Sequence, residues 1–327
     1  GNALLLNDNI SLDNTYNAWL PELYISHGRR TKFRKSLSYR RSYSLPSGTD
    51  LLPAYNVFQI WNRAVGNPNL GLALTDNFNL WMNKRMTKGL LRFLNLWGSY
   101  SMSNDYKVTS TFTDENGLAL TSPTILDGYN NLSLNVGTSL KIYKKLLSLS
   151  VNGNLGNTNR PLLFNNEKFI NSTEDYRGNV GLNIEYSDSL SFNFGYNINQ
   201  FSNSNSRSES LDFSQVIQSY NGSLRAIAPW GSQFNITFEL TDQRDIPGIG
   251  RYVPILSAYV QHPILKNGKL DLKFTAFDIF KENVGISRSV NGGFNSIRQQ
   301  NLLQQYFMLT AVYKIKNMGK ESRRNVW

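Results

Sequence analysis

Hydrophobic and polar residues alternate one by one along many segments of this chain. From Leu190 to Ile198, every second residue is aliphatic or aromatic, and the residues between them are serine, asparagine or glycine. Side chains of a β-strand point alternately to opposite faces, so the pattern predicts a strand with one apolar and one polar face. The same alternation recurs at residues 132–142 and 233–240. A sheet built from such strands lies between an apolar phase and water.

Turn-forming residues divide these segments into about fourteen predicted strands, and several reach the roughly 9 to 11 residues that a tilted strand needs to cross a membrane. We therefore predict an all-β fold, an antiparallel transmembrane β-barrel, as one domain over residues 1–327. The strands are expected near residues 3–12, 17–27, 32–44, 72–83, 89–104, 129–143, 146–157, 176–187, 189–202, 213–227, 232–243, 252–264, 268–281 and 301–315.

The connections between the predicted strands alternate in length. Short connections are expected at residues 28–31, 83–88, 143–145, 187–188, 229–231 and 266–268. Long polar connections are expected at residues 45–71, 105–128, 158–175, 203–212, 242–251 and 282–300. Outer-membrane barrels place short turns at the periplasmic rim and long loops outside. A soluble sandwich has no reason to sort its connections in this way, so the alternation favours the membrane barrel.

Composition excludes several other classes of protein. The hydrophobic fraction is 40% and the mean hydropathy is −0.38, and no run of apolar residues is long enough for a membrane helix. With no cysteine and two histidines, the chain offers neither a disulfide framework nor a three-ligand zinc site. We expect no metal, no cofactor and no enzymatic activity. The first ten residues lack the features of a signal peptide, so we expect a mature chain or one cut from something longer.

The net charge of +11 raises the question of a nucleic-acid partner. Many basic residues sit in or beside the short connections instead of along one groove, so we expect no nucleic-acid binding. Such residues can form a ring at one membrane surface, where each cation gains about 1 kcal/mol from anionic headgroups. They can also serve only as solubilising charge on turns. The basic residues in question are Arg29, Arg30, Lys32, Arg34, Lys35, Lys84, Arg85, Lys88, Lys144, Lys145, Lys266 and Lys269.

Four short motifs, in order along the chain, resemble the β-barrel of TonB-dependent outer-membrane receptors, and more narrowly the outer-membrane β-barrel family of Bacteroidetes-type bacteria. The most specific is Gly66-Asn67-Pro68-Asn69-Leu70, which follows a long predicted loop and precedes a strand; Gly71-Leu72-Ala73 replaces the Lys-Pro-Glu that often comes next. The others are Trp19-Leu20-Pro21-Glu22-Leu23, Phe274-Thr275-Ala276-Phe277-Asp278-Ile279-Phe280 and a closing strand from Gln305 to Ile315.

The resemblance implies a transport barrel in the bacterial outer membrane, in contact with lipid. Family members have 22 strands and an N-terminal plug that contacts TonB, so the resemblance implies that this chain is the C-terminal two-thirds of such a barrel. It also implies a small-molecule, glycan or peptide substrate and allows a surface lipoprotein as partner. Tyr55, Phe58 and Trp61 in the first long loop are our candidates for substrate or partner contact, although packing of that loop onto its neighbours also explains them.

Two other functions remain open at this point. A complete channel of about fourteen strands without TonB would pair its first and last strands directly and conduct ions in a planar bilayer. A soluble β-rich binding protein would stay monodisperse without detergent.

Overall fold

Most of the chain forms one large β-sheet. The computed structural model describes residues 15–29, 33–53, 62–143, 146–209, 212–243, 252–265, 269–283, 285–291, 294–300 and 302–313. None of the helices in these ranges is long and apolar enough to span a membrane. The elements are β1 (Glu22–Arg29), β2 (Phe33–Ser44), α1 (Gly48–Leu51), β3 (Asn62–Ala64), β4 (Ala73–Arg85), β5 (Leu91–Thr113), β6 (Ala119–Leu126), β7 (Tyr129–Tyr143), β8 (Leu147–Phe164), β9 (Glu167–Ser187), β10 (Leu190–Asn205), β11 (Phe213–Ile227), β12 (Gln233–Gln243), β13 (Tyr252–Pro263), β14 (Leu270–Phe277), β15 (Gly285–Asn291), β16 (Phe294–Gln300) and β17 (Tyr306–Tyr313).

The main sheet is an antiparallel meander. Its strands follow the order β1-β2-β4-β5-β7-β8-β9-β10-β11-β12-β13-β14-β17, and each neighbouring pair is antiparallel. β6 adds to the far end of β5, and β3 pairs with β6 in parallel. The strands β15 and β16 form a separate hairpin. The predicted antiparallel all-β architecture is therefore confirmed.

The predicted strand positions agree closely with the structure. The alternation places β7 and β11 at their observed bounds, and it places the other strands of the meander within several residues of at least one observed end. The first predicted strand, at residues 3–12, lies outside the described residues. Alternation is a reliable signal here because one face of nearly every strand is apolar along much of its length.

Three of the predicted long loops, at residues 105–128, 158–175 and 282–300, are wrong, because most of their residues form strands. In the first, β5 extends to Thr113 and β6 follows it, and in the second, β8 and β9 run on to a tight turn. The third contains β15 and β16. The turn between β8 and β9 consists of Asn165 and Asn166, with φ of 49° and 64°. Asparagine tolerates this left-handed conformation, which lets two long strands join with only two residues. Polar residues on both faces leave most of these extensions without the alternation that identifies a strand, although Tyr106, Val108 and Phe112 of β5 still alternate with lysine and threonine.

The two faces of the sheet differ in chemistry throughout its width. One face, here the apolar face, carries large aliphatic and aromatic side chains that remain exposed, such as Leu134, Val136, Phe194 and Ile236. The buried apolar side chains among the described residues are few: Leu70, Ala73, Val108, Pro161, Phe169, Val253 and Ala276. The apolar residues therefore do not form a core between two stacked layers. A single sheet that exposes this much apolar surface needs a hydrocarbon phase on that side.

The edges of the sheet remain separate within the described residues. There, β1 pairs only with β2 and β17 pairs only with β14, and the meander contains thirteen strands. Because neighbours are antiparallel, the first and thirteenth strands run in the same direction. Antiparallel closure of this sheet would require an odd number of further strands between β17 and β1. The sheet shown here is thus the wall of a barrel without its closing contact.

Candidate functional site

The polar face of the sheet carries a row of aligned side chains that crosses ten neighbouring strands. We call this set the asparagine row. Asparagine occupies five of its positions, and the other five hold two glycines, one serine, one threonine and one arginine. Its members, in strand order and each paired with the next, are Gly28, Arg34, Asn83, Asn95, Gly137, Asn152, Asn179, Asn197, Ser219 and Thr241.

Side chains in the middle of the asparagine row are joined by hydrogen bonds. The amide nitrogen of Asn152 donates to Oδ1 of Asn179 at 3.4 Å, and Asn179 donates in turn to Oδ1 of Asn197. Asn197 then donates to Oγ of Ser219 at 3.3 Å. Each primary amide offers two donor hydrogens and an acceptor oxygen, so every member keeps unused capacity after bonding its neighbour. The middle of the row, from Asn152 to Ser219, is therefore a hydrogen-bonded chain with one donor direction.

The asparagine row also climbs along the strands as it crosses them. Arg34 is the second residue of β2, beside the short turn that joins β1 and β2. Thr241 lies near the opposite end of β12, two residues before Gln243. Relative to the short turns, the row advances by roughly seven residues, or about 24 Å at the usual rise of a strand. This climb is the stagger that tilted barrel strands produce. It takes the row away from the short-turn rim, the edge of the sheet with the β1–β2, β4–β5 and β7–β8 connections, and towards the opposite edge with the β8–β9 turn, here the long-hairpin rim.

A depression of about 260 Å³ lies along the middle of the row, on the polar face. Asn152, Asn179 and Asn197 of the row contribute to its lining, together with Asn135, Asn154, Arg177 and Asn199 from the next row of the same face. The oxygen Oδ1 of Asn199 is enclosed and accepts no hydrogen bond from the described residues. A second depression of about 390 Å³ lies between β10 and β13, where Asn193, Asn221, Ser223 and Glu239 line it with Phe277.

Two tryptophans interrupt the small polar residues of this face. Trp81 of β4 and Trp97 of β5 are register partners. Trp97 is also the partner of Asn135 on β7, which lines the depression. The guanidinium of Arg34 lies over the Trp81 ring, 5.6 Å from its centroid, and donates to the Tyr24 hydroxyl at 3.2 Å. These indole rings therefore provide an apolar surface next to the amide groups.

The motif Gly66-Asn67-Pro68-Asn69-Leu70 is a junction between α1, β6 and the start of β4. The amide nitrogen of Gly66 donates to the Leu52 carbonyl at 2.9 Å, and the Asn67 amide nitrogen donates to the Asp50 carbonyl at 2.6 Å. The side chain of Asn67 also donates to the Pro123 carbonyl at 3.2 Å. A Cβ on Gly66 would lie only 2.4 Å from the Leu52 oxygen, so the position requires glycine. These contacts give the motif a structural role.

The helix α1 is held at this junction by its own cap and by a cation from β5. Asp50 accepts from the amide nitrogen and hydroxyl of Ser47, each at 2.7 Å, and from Nζ of Lys107 at 2.9 Å. Burial opposes ionisation of Asp50, but the hydrogen bonds from Ser47 and Lys107 outweigh it and lower its pKa from 3.8 to about 2. Asp50 is therefore ionised at neutral pH and fixes the base of the first long connection.

The long-hairpin ends of the strands are also cross-linked. The Lys168 ammonium pairs with Asp127, which lowers the pKa of that carboxyl, and this contact ties the β8–β9 hairpin to the connection between β6 and β7. On the other side, Arg207 pairs with Glu167 at 3.1 Å and lies 4.6 Å from the centroid of Phe164. Neighbouring hairpins therefore form a connected rim.

The candidate contact residues Tyr55, Phe58 and Trp61 lie outside the described residues. Their part in binding remains a prediction. The sequence patterns did not predict the asparagine row, although asparagine recurs at the polar-face positions of successive strands. Its alignment depends on the register of nine strand pairs. In the part of the chain that the structure describes, no group of three or more His, Asp or Glu side chains is placed to hold a metal ion.

A family model described as the outer membrane protein beta-barrel family matches residues 2–172, which is more than half of the chain. No curated protein matches the chain.

Proposed function

The chain belongs to the outer membrane protein beta-barrel family and so lies in the bacterial outer membrane, and from this premise we propose that it forms the wall of a transport barrel of the TonB-dependent type. Such a barrel captures a substrate at its outer rim and passes it to the periplasm through a gated lumen. The narrower resemblance to the barrels of Bacteroidetes-type bacteria, carried by the Gly66–Leu70 motif, supports the same proposal.

The observation that carries this proposal is the contrast between the two faces of the sheet. The apolar face meets lipid, which leaves the polar face to enclose the interior. That face is rich in neutral amides and hydroxyls, and it holds both depressions described above. A neutral wall of hydrogen-bonding groups suits a solute that must bind weakly and then leave. It also suits a polar filling of the lumen. Passage through it requires binding and release, without covalent chemistry.

The long-hairpin rim is the side at which we propose substrate capture. Its hairpins are joined by the exposed ion pairs Lys168–Asp127 and Arg207–Glu167. Tyr55, Phe58 and Trp61 in that connection are the proposed contacts with substrate or with a surface lipoprotein. A plug and its TonB contact would complete the transporter.

A passive channel of fourteen strands is the second candidate. The thirteen strands of the described meander and the predicted strand at residues 3–12 make fourteen, an even number that allows antiparallel closure against β17. The chain contains no cysteine, so engineered pairs give an unambiguous test. A cysteine at Leu309 of β17 is combined with single cysteines placed one by one at residues 3–12, and cross-linking is measured in outer membranes of the source bacterium.

The transport proposal predicts no cross-link in that scan and no steady conductance of the purified chain in a planar bilayer. It also predicts that an immobilised periplasmic domain of TonB retains the chain from outer-membrane extracts. Efficient cross-linking at alternate positions, with stable conductance and no retention, would establish the passive channel instead. The control is a cysteine pair at Phe274 and Leu309, which are register partners on β14 and β17 and cross-link in either case.

A further inference from the structure

We propose that the outer surface of the barrel carries a selective site for an anionic phospholipid of the periplasmic leaflet, beside the short turns that join β1 to β2 and β4 to β5. The site consists of His27, Lys35, Lys84 and Arg92, here called the basic sector. The inference goes beyond the proposed function, and it relies only on the contact of the apolar face with lipid.

Strand register places the basic sector on the apolar face. His27 and Lys35 are register partners on β1 and β2, and Lys84 of β4 is the partner of Leu94 on β5. Arg92 precedes Leu94 by two positions, at the bulge near the start of β5. Each member is among the last or first three residues of its strand, at the end that meets a short turn. The sector therefore crosses four neighbouring strands close to the short-turn rim.

The positive charge is confined to one part of the circumference. On the other strands of the described meander, the apolar-face residues near the short turns include no lysine or arginine. These residues are Tyr143, Leu147, Ile184, Leu190, Ala226, Phe234, His262, Leu272 and Tyr313. A complete ring of cations would indicate general attraction to headgroups, whereas a cluster on four adjacent strands favours one bound lipid.

The cations of the basic sector are not neutralised by the protein. None of the ion pairs between described residues includes a member of the sector. Arg41 gives the contrast, because it lies on the same face of β2, six residues beyond Lys35, and donates two hydrogen bonds of 2.8 Å to the Asp76 carboxylate.

Arg92 also keeps donor capacity. Its Nη1 donates to the Thr87 carbonyl at 2.7 Å, which holds the guanidinium beside the β4–β5 turn. Its Nε has no acceptor among the described residues. The cation at the far end of the apolar face is thus paired within the protein, and those beside the short turns are left for an external anion.

The surroundings of the sector select a lipid among the possible anions. Lysine and arginine bind phosphate oxygens through charge-assisted hydrogen bonds. The same face carries exposed apolar side chains next to the sector, namely Phe33, Leu37, Leu80 and Leu94. A ligand with a phosphate head and hydrocarbon chains matches both surfaces, whereas a soluble anion or an acidic protein matches only the cations.

The spacing of the sector suits a headgroup with two phosphates. Neighbouring strands are about 4.8 Å apart, so His27 and Lys35 form one pair of adjacent groups and Lys84 and Arg92 form another. The two phosphodiesters of a cardiolipin headgroup can each meet one pair. We therefore expect cardiolipin to bind more tightly than a lipid with one phosphate.

The test measures lipid binding to the full chain in detergent micelles by native mass spectrometry. The probes are tetraoleoyl cardiolipin, dioleoyl phosphatidylglycerol and the zwitterionic dioleoyl phosphatidylcholine. We expect one cardiolipin to stay bound under conditions that remove phosphatidylcholine. Lys35→Gln and Lys84→Gln should each weaken cardiolipin binding roughly fivefold, because each removes one cation from the headgroup level. Lys84→Arg should retain it.

The matched control is Lys141→Gln, which removes the same charge beside a short turn of β7 but on the polar face, opposite Ser148. It should bind cardiolipin as the unmodified chain does, and all variants are first checked for heat-modifiable migration as folded barrels. Equal affinity for the three lipids, equal weakening by Lys141→Gln, or displacement of cardiolipin by an equal concentration of inorganic phosphate would overturn the site. Selective lipid binding with failed TonB retention would leave the site standing and remove the transport proposal, so the two failures are distinguishable.

Discussion

At the scale of single residues, the conformation of a few positions determines how strands join. Asn165 and Asn166 adopt left-handed φ angles that allow the longest hairpin to close with two residues. Oδ1 of Asn165 also accepts from the Thr113 amide nitrogen at 2.7 Å, so the turn is bound to β5. Gly66 is required for a different reason. Its φ angle is one that any residue can adopt, but neighbouring main-chain atoms leave no space for a side chain.

Gly66→Ala is expected to destabilise the barrel by roughly 1–3 kcal/mol, because the new Cβ meets main-chain atoms of Leu51 and Leu52 that cannot rotate away. The measurement is the free energy of unfolding by urea in lipid vesicles. Gly48→Ala is the control, since a Cβ there meets nothing within 4 Å. Equal unfolding midpoints for the two variants would show that the junction is not tightly packed.

At the scale of elements, α1 shows how a very short helix can be kept in place. Its capping box and the Lys107 contact both converge on the Asp50 side chain. The carbonyls of Asp50 and Leu52 accept hydrogen bonds from the amide nitrogens of Asn67 and Gly66. A four-residue helix has almost no stability of its own. Its position therefore depends on these polar contacts, and the ionisation of Asp50 governs several of them together.

The pKa of Asp50 predicts an acid-sensitive contribution from this element. A depressed folded-state pKa stabilises the fold above the ordinary value near 3.8, and the contribution disappears as the pH falls from about 4 to about 2. The side chain of Asp50 is 19% exposed, and its contribution is about 2 kcal/mol.

Urea unfolding of the unmodified chain and of Asp50→Asn, compared across that pH range, measures this contribution. We expect an advantage of the unmodified chain at pH 6 that shrinks towards zero near pH 2. A difference that does not change with pH would contradict the ionisation argument. Lys107→Met should lose part of the same advantage at pH 6.

At the scale of the whole molecule, two solvents explain the arrangement of the sheet. Exposed leucine, isoleucine and phenylalanine on one side would favour aggregation in water, but in hydrocarbon they are solvated without a second layer. On the opposite face, many polar side chains are hydrogen-bonded to one another across neighbouring strands. This division accounts for the scarcity of buried apolar side chains in the described part of the chain.

An arginine on the apolar face should oppose insertion into a bilayer, and the same change on the polar face should not. Phe194→Arg is expected to cost about 2–4 kcal/mol if the site lies near the bilayer midplane. Its neighbour Asn193→Arg points to the other face and serves as the control. The fraction folded into vesicles is read from heat-modifiable migration. Equal folding of both variants, or a chain that stays monodisperse without detergent, would favour the soluble binding protein considered above.

The sequence by itself determined the strands, their two faces and the rim that carries the short turns, because lipid imposes a strict period of two on every crossing segment. It did not reveal that the strands continue into the predicted long connections, since polar residues on both faces interrupt the alternation in most of these extensions. Tertiary structure alone decided which asparagines meet. The alignment of Asn152, Asn179 and Asn197 depends on the register between neighbouring strands. That register is set by hydrogen bonds between segments distant in sequence, and the local pattern of a single strand does not specify it.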